Sequence, residues 1–289
     1  MKVHYLGPTK TFSEQAAIIF SEEFESQCQL VALSSFESIA KVVKVSANTL
    51  LNVGVLPYYN FLEGLVQESL DLIFEYDLQI ERSARVTIEF SIGGVQADLK
   101  PTVVYSHPKA LAQCSEFIES ALAGAEMKAV SSTAEAARIV RDAGDGYAIA
   151  NRAALAEHRL SVIQDNIGNQ RQGRTNFTDF LLVSPQRLLP IQEAKSHRTM
   201  VAITPDIDTI GLLAGILGQF SYYRLNIAKI HSRPAINAVP MIELEPQMFY
   251  LEVVCREDSD ALNRCLESIN YHFQSDNAVK LLGGFSALD

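Results

Sequence analysis

The 289-residue sequence predicts an α/β protein in two parts: strands and helices in alternation to about residue 185, then a βαββαβ unit. Three observations lead there. Strand-sized apolar runs are each followed by a capped, helix-like stretch. Composition shifts at Ser184–His197, which carries Pro185, Pro190 and mixed charge without a clear period and reads as a linker. Beyond it, strand and helix patterns succeed one another in the order of a ferredoxin-like split unit.

In the first part Val3–Leu6, Val53–Leu56, Thr102–Tyr105, Met127–Val130 and Tyr147–Ala150 are short runs bounded by polar, Gly or Pro signals, as strands are. Alternation with helices at this spacing predicts parallel sheets covered by helices. Arg85–Gly94 interrupts the rhythm, with Val86, Ile88 and Phe90 alternating against polar neighbours, and reads as a strand crossing between two lobes. In the second part the strands are Thr199–Ile203, Leu225–His231, Met248–Cys255 and Val279–Leu282, and the helices Thr209–Phe220 and Ser259–Phe273.

Composition narrows the function classes. Lys and Arg total 24 against 34 Asp and Glu, a formal charge of −10 whose field repels nucleic acid and anionic membrane, and there is no basic stripe to override it. No apolar run approaches the roughly 18–20 residues of a membrane span. The opening residues, Met1 to Pro8, lack the apolar core of a signal peptide and read as a first strand, so a cytoplasmic protein is expected. Cys28, Cys114, Cys255 and Cys265 form no C-x-x-C pair and no zinc-spaced cluster, and are expected to be buried, reduced thiols.

The helix starts carry the chemistry. Thr11-Phe12-Ser13-Glu14, Asn60-Phe61-Leu62-Glu63 and Ser132-Thr133-Ala134-Glu135 fit the capping box or its Asn variant, and Ser106-His107-Pro108 adds a cap with Pro near the first helical position. Each follows a strand, so these N-termini are expected at the carboxyl ends of sheets, where open α/β sheets hold their ligands. A helix N-terminus offers free N–H donors and about half a positive charge, which suits a carboxylate or phosphate. No Walker A or G-x-G-x-x-G motif is present, and no Ser/His/Asp order or paired acid is legible. The residues alone therefore indicate a two-lobed α/β binder of a small anion joined to a ferredoxin-like module.

Taken together, the same segments resemble the prephenate dehydratase family. Tyr5-Leu6-Gly7-Pro8-Thr9-Lys10-Thr11-Phe12-Ser13-Glu14-Gln15-Ala16-Ala17 looks like the family's Y-L-G-P-x-G-T-F-S-x-x-A-A. Gly54-Val55-Leu56-Pro57 with Asn60, Glu63-Gly64 and Leu70-Asp71 is similar to G-V-x-P-x-E-N-S-x-E-G. Tyr105-Ser106-His107-Pro108 with Ala110-Leu111-Ala112-Gln113-Cys114 resembles S-H-P-Q-A-L-x-Q-C, and Ser132 to Ala137 and Ala148 to Ala154 continue in register. Farther on, Gly211-Leu212-Leu213 stands for G-A-L, and Asn226 with His231-Ser232-Arg233-Pro234 for N-x-x-x-x-E-S-R-P.

The resemblance implies a periplasmic-binding-protein-like catalytic domain of two lobes at 1–185, the second lobe at about 85–165, then a linker at 186–197 and an ACT regulatory domain at 198–289. It implies a monofunctional, cofactor-free enzyme that converts prephenate to phenylpyruvate. It also implies inhibition by phenylalanine held between the ACT domains of a homodimer or homotetramer. Thr178 matches the family's essential threonine and is the expected catalytic residue. Thr11, Ser13, Asn60, Ser106, His107, Ser132, Thr133, Ala134 and Phe180 are expected at the substrate, and Gly211, Leu212, Leu213, Asn226, His231, Ser232, Arg233 and Pro234 at the effector.

Departures from the pattern shape these expectations. The family's T-R-F reads Thr178-Asp179-Phe180, its E-N-S reads Tyr59-Asn60-Phe61, and the Glu of E-S-R-P is His231, which changes the charge offered to an effector. On a strand Thr178 and Phe180 share a face and Asp179 takes the other. Arg171 or Arg174, on the loop before Asn176, is the expected substitute for the missing arginine. Tyr58 and Tyr59 are further candidate donors in the cleft or, alternatively, core aromatics. Two other functions stay open at this stage: a relative that decarboxylates prephenate without aromatising it, and a non-catalytic sensor of small acids.

Overall fold

The structure, a computed structural model, describes residues 1–24, 28–45, 51–96, 102–170, 173–191, 196–205, 210–235, 246–273 and 278–288. Arg171, Thr209 and part of the linker segment lie outside these residues. In chain order the first elements are β1 (Lys2–Leu6), α1 (Phe12–Ser21), β2 (Gln29–Leu33), α2 (Phe36–Val45), β3 (Asn52–Asn60), β4 (Gly64–Leu65), α3 (Gln67–Glu75) and β5 (Gln79–Thr87). Next come β6 (Ser91–Gly94), β7 (Val103–Ser106), α4 (Pro108–Gln113), α5 (Ser115–Ala121), β8 (Glu126–Ala129), α6 (Thr133–Ala143), β9 (Tyr147–Ala150), α7 (Arg152–Glu157), β10 (Ser161–Gln164) and β11 (Phe177–Ser184). The last are β12 (Arg198–Ile203), α8 (Leu212–Tyr222), β13 (Ile227–Pro234), β14 (Gln247–Val253), α9 (Asp260–Phe273), β15 (Val279–Phe285) and β16 (Ala287–Leu288).

Two compact units are built from interleaved stretches of chain. The first comprises Met1–Ile39, Val55–Val66 and Arg85–Phe180 and holds all of one sheet together with β1, β2 and parts of β3, β5 and β11 from another, one sheet per lobe. In one lobe β5, β11, β3, β1 and β2 are neighbours in that order, β1 and β2 running parallel. In the other the order is β10-β6-β9-β7-β8. Its core is Ile88, Phe90, Ile92, Val104, Cys114 and Ile149 on one side, and the small residues Ala136, Ala137, Ala148, Ala150 and Ala154 on the other. Alanine on facing surfaces lets α6 lie close to β9 and β7.

The segment expected to be one crossing strand divides into β5 and β6. Between them the Ile88 N–H donates to the Asn176 carbonyl at 2.8 Å and the Phe90 carbonyl accepts from Ile167 N at 3.0 Å, and β6 then pairs with β9 and β10 in the second sheet. Of the cysteines, Cys114 and Cys265 are buried, and burial pushes both thiols up to about 12. Contrary to expectation Cys28 and Cys255 are only half-buried, and none of the four is in a disulfide.

The second unit comprises Ala40–Gly54, Gln67–Ala84 and Leu181–Asp289. Its C-terminal part is a four-stranded sheet in the order β13-β14-β12-β15, with β12 antiparallel to both β14 and β15. With α8 and α9 packed through Leu212, Ile216, Phe220, Leu262, Cys265 and Ile269, this is the βαββαβ arrangement read from the sequence. Helix α8 begins at Leu212 because Gly211 before it has φ of 85°, a left-handed conformation that disfavours side chains. A Cβ at Gly283, where φ is 126°, would lie 2.5 Å from the Ile80 carbonyl oxygen, so β15 passes β5 only as glycine.

The stretch with the composition shift is held in place over its described part. Glu81, fully buried, accepts from Ser184 Oγ at 2.6 Å, Leu188 N at 2.7 Å, Leu189 N at 3.1 Å and Arg187 Nη1 at 3.2 Å. No periodicity is needed when one carboxylate organises the chain in this way.

Candidate functional site

A cleft of about 340 Å3 opens in the first unit at the carboxyl ends of β1, β3 and β8 and on one face of β11. Thr11, Ser13, Asn60, His107, Ser132, Thr133, Thr178 and Phe180 line it together. Two helices point their N-termini at it. Thr11 Oγ1 caps α1 by accepting from Glu14 N at 3.3 Å, and Ser132 Oγ caps α6 by accepting from Glu135 N at 3.0 Å. These caps satisfy the third N–H of each helix, which leaves the first-turn N–H groups of Ser13, Thr133 and Ala134 without intrahelical acceptors. The Ala134 methyl is buried in the core, so that residue can contribute only its N–H.

The start of α1 is tied to β1 and to the preceding turn. Glu14 accepts Tyr5 Oη–H at 2.8 Å through Oε1 and Lys10 N–H at 2.7 Å through Oε2. The side chain therefore returns to Lys10 rather than to the capping residue, one position earlier than a capping box predicts. Burial, followed by the Glu14 carboxylate, raises the Tyr5 pKa above the usual tyrosine range.

Asn60 sits differently from expectation. It ends β3 rather than opening a helix: β4 pairs back on β3 with Tyr59 opposite Leu65, and α3 begins only at Gln67. Its Oδ1 accepts Leu62 N and Glu63 N, both at 3.0 Å, in a side-chain turn. That pairing fixes which end of the amide faces the cleft. The amide nitrogen consequently donates to Thr178 Oγ1 at 2.9 Å. Thr178 is 7% exposed and Asn60 8%, so the pair is nearly dry. With a lone pair occupied by Asn60, the Thr178 hydroxyl has its own proton free to donate.

Other expected residues fall outside the lining. Ser106 is fully buried and donates its hydroxyl to the Ile149 carbonyl at 2.6 Å, tying β7 to β9. The cap of α4 is His107 instead, whose Nδ1 accepts from Lys109 N at 3.2 Å with Pro108 next in line. Desolvation, then the nearby Lys109 charge, lowers the His107 pKa, which gives a neutral ring with its proton on Nε2. Arg174 is exposed and is not among the lining residues. Tyr58 is buried away from the cleft, and Tyr59 lies 6.4 Å, ring to ring, from Phe177.

Asp179 takes the face opposite Thr178, as the strand alternation requires. Arg85 grips it with two hydrogen bonds, Nε–Oδ1 at 2.7 Å and Nη2–Oδ2 at 3.0 Å. The guanidinium lies 3.8 Å over the Phe177 ring, and Phe177 in turn stacks on Phe61 at 5.2 Å. Sequence reasoning missed Lys109, Gln113 and Glu63, which line the cleft on the side of α4 and the β3–β4 turn. Gln113 was visible within the Ala110–Cys114 motif and Glu63 within the Asn60–Gly64 motif, whereas Lys109 carried no signal until its spatial proximity to Glu63 was known.

The prephenate dehydratase family model matches residues 3–187, and this span contains the entire cleft. The chain belongs to the prephenate dehydratase family. It is 27% identical over 290 residues to the prephenate dehydratase of Methanocaldococcus jannaschii, covering 99% of this chain and 98% of that protein. The crystal structure of Arthrobacter aurescens prephenate dehydratase in complex with L-Phe superposes with a TM-score of 0.80 at 24% identity, over 99% of this chain and 90% of that one. A protein described as a quorum quenching acylase, GqqA, superposes with a TM-score of 0.79 at 20% identity, over 100% of this chain and 98% of that one. At these identities the structures establish the fold, and the dehydratase and acylase names within one fold show that function has to be argued from the site.

Proposed function

We propose that the chain is a prephenate dehydratase acting in phenylalanine synthesis. The observation that carries this reading is the Thr178–Asn60 pair in a cleft faced by two helix N-termini, within the span matched by the family model. Prephenate has two carboxylates and a ring hydroxyl. The first-turn N–H groups of α1 and α6 suit the carboxylates. The Thr178 hydroxyl, oriented by Asn60, is aimed to donate to the departing ring oxygen.

The reaction balances without an added oxidant or reductant. The ring-carboxylate C–C bond breaks and releases carbon dioxide, and its electron pair enters the ring. The ring C–O bond breaks at the opposite carbon, and the leaving oxygen takes a proton and departs as water. The product, phenylpyruvate, is aromatic, which supplies the driving force. Proton donation of this kind contributes about 10²–10⁴-fold, and a water-mediated proton return restores the threonine.

The region at 1–185 serves as the catalytic domain in this reading, 186–197 as the linker and 198–289 as an ACT regulatory domain. Phenylalanine is the proposed effector, bound by Gly211, Leu212, Leu213, Asn226 and His231–Pro234 in a homodimer or homotetramer, and the enzyme is cytoplasmic. Along β13, Ser232 and Pro234 are exposed while His231 and Arg233 are half-buried, and at the start of α8 Leu213 is exposed while Leu212 is buried. The test is incubation with prephenate near neutral pH and identification of the product. Phenylpyruvate supports the reading. A non-aromatic dihydro-product, or binding without turnover, refutes it.

A further inference from the structure

We infer that Lys109 supplies the cation that meets a substrate carboxylate in this cleft. This inference rests on the prephenate reading above and adds a specificity-determining residue to it. Among the described residues lining the cleft, Lys109 is the only lysine or arginine. The family motif has glutamine at this position, between His107-Pro108 and Ala110, so a cation at this point of the cleft is a departure of this chain.

The other described cations near Thr178 do not reach the cleft. Asp179 is turned to the opposite face, and Arg85 is committed to it through Nε and Nη2 while stacked on Phe177. The hydrogen bond to Asp179 raises the Arg85 pKa above its ordinary value, and the two form a closed pair. Neither Arg85 nor Arg174 lines the cleft.

Lys109 is held ready and can be released at little expense. Its Nζ lies 2.7 Å from Glu63 Oε2, and Gln113 Nε2 donates to Glu63 Oε1 at 2.9 Å. The two charged side chains are 67% and 40% exposed, so their attraction is largely screened by water. An ammonium on a flexible stem can leave a solvated carboxylate for a substrate carboxylate in a drier site, where the same contact is worth more. Gln113 keeps Glu63 partnered when Lys109 moves. A dianion approaching a chain of net charge −10 also gains most from a cation at the mouth of the cleft.

The experiment compares the wild type with Lys109→Gln, Lys109→Arg and Glu63→Gln, by steady-state kinetics on prephenate and by equilibrium titration of prephenate. Lys109→Gln should raise KM about tenfold with kcat changed less than about twofold, and Lys109→Arg should recover most of the loss. Raising salt from low to high should weaken the wild type more than Lys109→Gln. Glu63→Gln, which frees the ammonium, should leave KM equal or lower. An unchanged KM in Lys109→Gln, or a fall in kcat alone, overturns the inference while leaving the dehydratase reading standing. If the wild type fails to turn prephenate over, the dehydratase reading falls instead, and titration still decides the role of Lys109. Binding about tenfold weaker in Lys109→Gln supports it, and equal binding overturns it.

Discussion

The amide nitrogen of Asn60 lies 2.9 Å from the hydroxyl oxygen of Thr178, on neighbouring strands and 118 residues apart in sequence. Asn60 cannot exchange roles, because its oxygen is already taken by two backbone N–H groups. The polarity of the pair is therefore set: amide donates, hydroxyl accepts and passes its proton outward. Thr178→Val keeps the shape and removes the proton, and should lower kcat at least about 10²-fold. Only one hydrogen bond is lost, so stability should fall by about 1 kcal/mol, measured by urea unfolding. Asn60→Asp is the sharper variant. A carboxylate at that point turns the Thr178 proton toward itself, so kcat should drop as far as in Thr178→Val although the hydroxyl is still present. Wild-type turnover in Asn60→Asp removes hydroxyl orientation from the mechanism.

His107 should behave as a neutral cap rather than as an acid. Its Nδ1 holds the Lys109 N–H, and desolvation disfavours the charged ring. Because the folded pKa lies below that of the unfolded chain, the unfolded state binds the proton first as pH falls. Stability from His107 is therefore complete above the unfolded value of about 6.5 and is lost as pH drops below it toward the folded pKa. His107→Asn keeps an acceptor at the cap and has no proton to gain. Urea midpoints between pH 5 and 8 should show a smaller acid loss in His107→Asn than in the wild type, with turnover within a few-fold at pH 7.5. A turnover loss comparable to that of Thr178→Val would instead give the imidazole a chemical role.

Glu81 organises four donors without any water access. Glu81→Ala removes the acceptor of the Leu188 and Leu189 N–H groups, while Ser184 keeps the Gln186 carbonyl and Arg187 keeps the Ile80 carbonyl and Glu257. Loss of one partner from such a set costs about 3 kcal/mol. Denaturant unfolding should show that loss with kcat barely changed, since Glu81 lies outside the cleft lining. A change below about 1 kcal/mol means that solvent replaces the carboxylate.

What the sequence disclosed and what it concealed follow from the range of the interactions. The Thr11 and Ser132 caps were readable because a cap involves residues three apart. Asn60 was misread for the same reason. An Asn whose oxygen accepts from the second and third following N–H groups looks alike in a helix cap and in a side-chain turn. The pairing of Tyr59 with Leu65 decides between them, with Gly64 at φ 91° making the bend. Ser106 was taken for the cap because serine is the better cap by preference, yet strand β7 runs one residue farther and hands the position to His107. The Arg85–Asp179 fork spans 94 residues and Lys109–Glu63 spans 46, and no local pattern encodes either. The substitution at position 179 was legible as a departure, whereas its partner was not.

The proposed effector segment is already engaged within its own chain. Arg233 on β13 forms an ion pair with Asp71 on α3, Tyr250 Oη–H donates to the other Asp71 oxygen at 3.0 Å, and His231 Nε2 lies 3.3 Å from Gln67 Oε1. Arg233 and Asp71 are 21% and 17% exposed, so this pair is better shielded than a surface contact. A phenylalanine carboxylate that recruits Arg233 has to compete with Asp71, and the competition links effector binding to α3. Linkage then fixes the sign: weakening the Asp71 contact should strengthen the effector. Asp71→Asn preserves an acceptor for Tyr250 while removing the charge that holds Arg233. Calorimetric titration should show phenylalanine binding about fivefold tighter in Asp71→Asn than in the wild type, and lost in Arg233→Ala. Inhibition curves should shift in the same direction as binding. Weaker binding in Asp71→Asn would mean that the ion pair frames the effector pocket instead of competing with it. Wild-type binding in Arg233→Ala would place the effector carboxylate on another group, with the N-terminus of α8 after Gly211 the next to test.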